Sequence, residues 1–580
     1  MSKCFLRLVG SVLVIGMAFI VVFAGAGENE TAKSKKRSQK GLKLIGRAWG
    51  PTQSDFDRAK ARLKKSRAVN NVLAGTTNRM LSFESIERSD SLKFSLEPTH
   101  FRALYYDYSN DKIFSATGDF AGREPIEISE TNKGFEASAT QEEIEAGFKL
   151  VPFDPNLGKE LKAGTIELFE PMPPVSFVNG VRLVNIGVRY RNSGVARVFG
   201  ASFKDNRLVD YGKNPPWPSD LGGNCGIADS GQGSTVSGLA GQVLLTVIQE
   251  GTTLWEMLVN RPSSSSGSTQ RSGVEVRDVM YKGKSVLKRG HAPILNVKYH
   301  PGGCGDFRDW QYAEGPFDAP SAGSQNPTDG IRILADGEVA KTIVESGNDT
   351  GNFQGVAIYS QNVGLGFEVV LVSEMNAGWY RYIMEWRFAE DGTIRPRYGF
   401  GSVTNSCVCR ARNHHVYWRF DFDIVQPNND LYQVERGRRF LQPIDTESKI
   451  FRSYQTNRSI LIQNSEGNEA YQLTPNITDE EAYNFEGTTL QTYGAGDLWL
   501  MRFKGSAGSP DELDDPPGTG SAANLDPWIN GESLGGSDAV IWYGAHQYRD
   551  DATSLTNFDR SGLVLGGVHT IGPDLRPVRW

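Results

Sequence analysis

The chain has 580 residues, a formal net charge of −6 and seven histidines. A charge this small over this length excludes a protein that binds nucleic acid by neutralising phosphates. The length exceeds one compact domain, 39 % apolar residues supply a sizeable core, and 64 glycines with 10 % aromatics suit many strands joined by tight turns.

The N-terminus predicts export. Lys3 and Arg7 precede an uncharged run from Leu8 to Phe23, and Ala24-Gly25-Ala26 offers small residues for cleavage. Residues 1–26 read as a secretory signal, with an uncleaved membrane anchor as the alternative. Residues 27–50, carrying Lys33, Lys35, Lys36, Arg37, Lys40 and Lys43, read as a basic linker. Residues 51–149 predict a small α+β domain. A helix is expected over 52–72, capped by Ser54 or Asp55, then strands at 79–86, 101–108 and 112–117. A short helix opens at the Thr140-Gln-Glu-Glu capping box.

From residue 150 the patterns are almost all strand: 150–235 as a connecting β segment and 236–580 as one large antiparallel β-sandwich. The clearest runs are 181–190, 242–249, 274–281, 355–358 and 366–372. The serine run at 262–268 reads as a long hairpin loop. Residues 506–524, rich in Gly, Pro, Ser and Asp, read as a surface insertion. The fold class is therefore mainly β, a large antiparallel sandwich preceded by a small α+β domain. With Cys4 in the signal, Cys225, Cys304, Cys407 and Cys409 allow two disulfides. Cys407 and Cys409, two apart on an expected strand, are not expected to pair with each other.

No phosphate-binding loop, dinucleotide fingerprint, HExxH or nucleophile elbow is present. The informative cluster runs from Gly378 to Ile394 and resumes at Asn413-His414-His415. Adjacent histidines on a strand present one ring to each face.

Here the sequence resembles the copper amine oxidases. Trp386, Phe388, Asp391, Gly392 and Ile394 match that family's cofactor segment and set Tyr380 on the tyrosine that becomes topaquinone. Arg419, Asp421 and Asp423 match the run after its histidine pair and set His414 on a copper ligand. Asp538 to Trp542, followed by His546, resembles the segment bearing another. Leu295 to Tyr299 and Phe317-Asp318-Ala319 resemble two further family runs. The resemblance covers roughly residues 236–551. It implies a homodimeric, exported oxidase of primary amines that uses oxygen and yields aldehyde, ammonia and hydrogen peroxide. In that scheme Asp318 is the general base and Tyr299 bonds the quinone. His414 and His546 bind copper beside Tyr380, with His415, Cys407 or Cys409 as the third donor. Asp421, Asp423 and Asp538 resemble the family's calcium site.

Three positions depart from the pattern: Arg412 stands where the family has a histidine, Trp379 where it has asparagine and Arg381 where it has an acid. Arginine has no lone pair to give a metal. The alternative expectation is a catalytically degenerate binding or structural protein on the same scaffold.

Overall fold

The computed structural model describes residues 41–86, 95–131, 137–171, 174–193, 196–211, 225–267, 269–300, 306–409, 411–434, 441–452, 458–476, 478–479, 496–504, 525–549 and 571–580. The expected signal at 1–26, the insertion at 506–524 and Cys304 lie outside these residues. Among the described residues no helix is long and apolar enough to cross a membrane.

The protein is mainly β. Its dominant element is a network of 21 strands, largely antiparallel, folded into a sandwich around one core. That core is built by period-two alternation. Strand Tyr380–Ala389 sends Tyr380, Tyr382, Met384, Trp386 and Phe388 inward. The facing strand Ala411–Phe422 sends Val416, Trp418, Phe420 and Phe422 to meet them, and the Trp386 and Trp418 rings stand edge to face at 5.4 Å. A smaller apolar cluster, with Ile294, Tyr417, Trp499 and Trp542, lies on the opposite face of the Ala411–Phe422 strand.

Two smaller sheets precede the sandwich. One has four strands within 78–131, packed under helices Gln53–Lys65 and Arg67–Leu73. The expected single helix over 52–72 is broken at Ser66, whose side chain caps the second helix. The first helix is capped by Thr52, ahead of the expected Ser54 or Asp55, in a reciprocal box with Asp55. The box at Thr140 and Glu143 opens helix Gln141–Phe148 as its sequence predicts. That helix packs on strand Val181–Tyr190 of a five-stranded sheet within 166–210. The connecting β segment expected at 150–235 contains this five-stranded sheet, and the helix that covers it comes from the stretch before.

The linker expectation for 27–50 needs correction at its end. Leu42–Ala48 is a strand, paired antiparallel with Gln242–Gln249 at the edge of the sandwich. Leu42 and Leu44 pack against the main core while Lys43 points away, so alternation outweighs the local charge. The serine run forms the expected loop between strands Thr252–Asn260 and Glu275–Tyr281. It is not a solvated hairpin tip: Ser263 and Ser265 are buried, and the Glu314 carboxylate accepts from the Ser263 backbone and hydroxyl and from Arg261.

Candidate functional site

Three antiparallel strands carry the site: Lys284–His300, Ala411–Phe422 and Ser537–Arg549, with the middle one pairing both others. Its register with Ser537–Arg549 runs unbroken from Arg412 opposite Arg549 to Asp421 opposite Val540. Directly opposed residues share a face, and neighbours along a strand do not. Arg412 and His414 therefore face the sandwich core. His415 and His546 face the other side, directly opposite one another.

On the core face His414 is enclosed by rings. Its ring centre lies 4.8 Å from Tyr380, 4.3 Å from Phe400 and 5.9 Å from Tyr382. The Tyr380 and Tyr299 hydroxyls are 2.5 Å apart, and Trp379 donates its indole N–H to the Tyr299 oxygen at 2.8 Å. Arg412 reaches the same place. Its guanidinium carbon is 5.9 Å from the Tyr380 ring centre, and it donates to the Val408 carbonyl at 2.7 Å. Burial raises the Tyr380 and Tyr299 phenols, and the Arg412 charge partly offsets this at both.

The carboxylate brought to these rings is Asp309. The backbone N–H of Asp309 bonds the Leu295 carbonyl, and its buried side chain accepts the Tyr382 hydroxyl. Burial pushes the Asp309 carboxyl up to about 7, with the Tyr382 hydrogen bond opposing. The sequence hint for Asp309 was its place in an aromatic run, between Phe307 and Trp310. Asp318, the expected base, is half-buried on a segment whose backbone bonds Lys341 in both directions.

The opposite face holds a polar network. The Nδ1 atoms of His415 and His546 are 2.8 Å apart. Asp497 Oδ1 lies 3.3 Å from Nε2 of His546, and Arg452 donates to that same carboxylate at 3.1 Å. Burial raises the Asp497 carboxyl, but Arg452 and His546 more than offset this and bring it down to about 2.

The expected copper set is thus split. His414 faces Tyr380, whereas His546 is on the far face, because no bulge interrupts the pairing that would re-aim it. The same regularity keeps His415 from turning inward. The cysteine donors are also removed. Ser406–Cys409 is a 3-10 turn rather than a strand, Cys409 is bonded to Cys225, and Cys407 is also in a disulfide. A disulfide sulfur is not a thiolate ligand. On the core face the described side chains supply one imidazole and one fixed cation, which does not fit a copper ion.

The third group of expected ligands does converge. Asp421, Asp423 and Asp538 offer carboxylate oxygens that all lie within 4.8 Å of one another, the first two buried and the third partly so. Arg419 approaches Asp421 at 3.4 Å.

No family model and no curated protein sequence matches the chain. Solved structures do. A copper-containing benzylamine oxidase from Hansenula polymorpha aligns over 92 % of this chain and 97 % of its own, with a TM-score of 0.59 and 13 % identity. A lysyl oxidase from Pichia pastoris aligns over 91 % and 89 %, with TM-score 0.55 and 13 % identity. An Aspergillus nidulans amine oxidase aligns over 91 % and 88 %, with TM-score 0.54 and 12 % identity. The chain therefore shares the copper amine oxidase fold, including its large β-sandwich.

The raised Asp309 carboxyl has a consequence for stability. Between the ordinary carboxylate range and about 7 the folded protein holds a proton that the unfolded chain has released. The stabilisation is complete at the acidic end and is lost as pH rises through about 7, by on the order of 3–4 kcal/mol for a wholly buried group. Asp309→Asn should abolish this decline. Melting temperatures of the two proteins across pH 4–8 should diverge up to about pH 7 and then level off, with the variant higher. Parallel profiles would contradict the assignment.

Proposed function

We propose that this chain uses the copper amine oxidase fold as a binding or structural scaffold, without copper–quinone turnover of amines. The observation that carries this reading is Arg412. Its guanidinium, which cannot donate a lone pair, stands against Tyr380 on the face that also bears His414. A fixed positive charge there opposes a divalent cation as well as failing to bind one.

A second reading, a primary-amine oxidase, is favoured by one specific arrangement. The paired Tyr299 and Tyr380 hydroxyls, with buried Asp309 nearby, place a phenol and a protonatable carboxyl together. Such a carboxyl suits proton abstraction near neutral pH. A quinone-specific redox stain of the copper-treated, purified protein separates the two. The scaffold reading predicts no stain and no amine-dependent peroxide. Arg412→His, which puts a second imidazole on the His414 face, should raise copper affinity by about tenfold or more. A positive stain in the unmodified protein would overturn the scaffold reading.

Calcium at Asp421, Asp423 and Asp538 is part of the proposal. Hard oxygen donors from two adjacent strands are the ligands calcium takes. Calcium should raise the melting temperature, since an ion that binds only the folded state stabilises it. The double variant Asp421→Ala, Asp423→Ala should lose that response. Identical melting of the unmodified protein in calcium and in chelator would remove the site.

Export is proposed as well. The Cys225–Cys409 disulfide supports it, because such bonds persist in oxidising compartments. Intact mass of secreted protein should place the first residue near Gly27. Retention of Met1 to Ala26 would exclude cleavage.

A further inference from the structure

We propose that His415 and His546 form a second site, on the face of the sheet away from Tyr380, that takes a divalent transition-metal ion through imidazole nitrogen.

The first support is geometric. The two Nδ1 atoms are 2.8 Å apart on directly opposed residues of an unbroken strand pair. Two nitrogens each ~2.0–2.1 Å from one tetrahedral zinc ion stand about 3.3 Å apart. The observed separation needs an opening of about half an ångström to admit the ion. Both rings are buried, so neither is a surface histidine.

The second support is the orientation of His546. Asp497 faces its Nε2 at 3.3 Å and is held by Arg452 through a side-chain bond at 3.1 Å and the Arg452 backbone N–H at 2.7 Å. The negative charge of Asp497 beside Nε2 favours the ring proton there, which leaves the Nδ1 lone pair directed at His415. Metal-ligating imidazoles carry this outer carboxylate, which sets the tautomer and increases donor strength.

The third support is independent of the histidines. Asn296 lies directly opposite His415 on Lys284–His300, in the same cross-strand row as His546. Asn413 is two positions before His415 on the same strand face. Both amides are completely buried, and among the described residues neither the oxygen nor the nitrogen of either side chain has a hydrogen-bond partner. A buried polar group left without a partner is destabilising. An ion between the histidines would give the Asn296 amide oxygen, in the same cross-strand row, a partner, and Asn413 adds a second buried amide to this face. Imidazole with amide oxygen suits zinc or copper and is a poor set for calcium or magnesium.

The site is separate from the face expected to hold copper. His414 and Arg412 lie across the sheet, so an ion here is on the opposite face from Tyr380 and Tyr299.

The test uses the full-length protein, free of any histidine tag, stripped with chelator and kept in millimolar calcium to saturate the carboxylate cluster. Zinc is titrated by calorimetry and cobalt by visible absorption. One zinc per chain and a cobalt spectrum of nitrogen ligation are expected. His415→Gln and His546→Gln should each weaken zinc about 100-fold, and Asp497→Asn about 10–100-fold. His414→Gln should change neither the affinity nor the cobalt spectrum. The cobalt spectra of the unmodified and His414→Gln proteins keep the test valid if the other variants fold poorly. Absence of zinc and cobalt binding by the folded, unmodified protein would mean that the two rings only share a proton, and would overturn the proposal. Binding lost in His414→Gln and kept in His415→Gln would overturn it in favour of the core face.

Discussion

The chemistry of this protein depends on one uninterrupted register between strands Ala411–Phe422 and Ser537–Arg549. A β-strand alternates its side chains with a period of two, so a shift of one residue moves every side chain to the other face. Here the register sends Arg412 and His414 into the core and His415 and His546 out of it. Two histidines that are neighbours in sequence thus serve separate environments, one lined by tyrosine rings and one by carboxylate, arginine and amides. The buried tryptophans on both faces oppose any slip, since a one-residue shift would exchange Trp418 with Tyr417 or Arg419 across the sheet.

The core face shows how the fold assembles these residues independently of any bound group. The large sandwich is held by alternating apolar residues, and those place Tyr380, Tyr299 and Asp309 together whatever occupies the metal position. Arg412 is accommodated there because its charge lies against a tyrosine ring and its N–H groups have an acceptor at Val408. That acceptor sits in the short turn between Cys407 and Cys409, both of them in disulfides. The turn that could have supplied thiolates instead positions the arginine. A shared fold does not by itself carry an activity.

Much of this was legible from the residues. Strands Val181–Tyr190 and Gln242–Gln249 match their predicted bounds, because each is a β-branched and aliphatic run bounded by turn residues. The opposite facing of His414 and His415 follows from strand period alone. The face of His546 does not, because it depends on the register with a strand more than a hundred residues away. Asp309 was missed for a similar reason: it acts beside Tyr382 only because the backbone folds back onto Leu295. The strand at Leu42–Ala48 was hidden by neighbouring lysines, whose charge masked an alternating pair of leucines. The break at Ser66 was missed although the apolar spacing falls out of step between Leu63 and Val69, and the side-chain cap marks the new helix.

Crystals grown with both copper and zinc would place these ions by anomalous scattering at each metal's absorption edge. The split of the two faces predicts Tyr380 as an unmodified phenol, no metal beside His414, and a metal peak between the Nδ1 atoms of His415 and His546. A copper peak between His414 and Tyr380, or quinone density at residue 380, would contradict it.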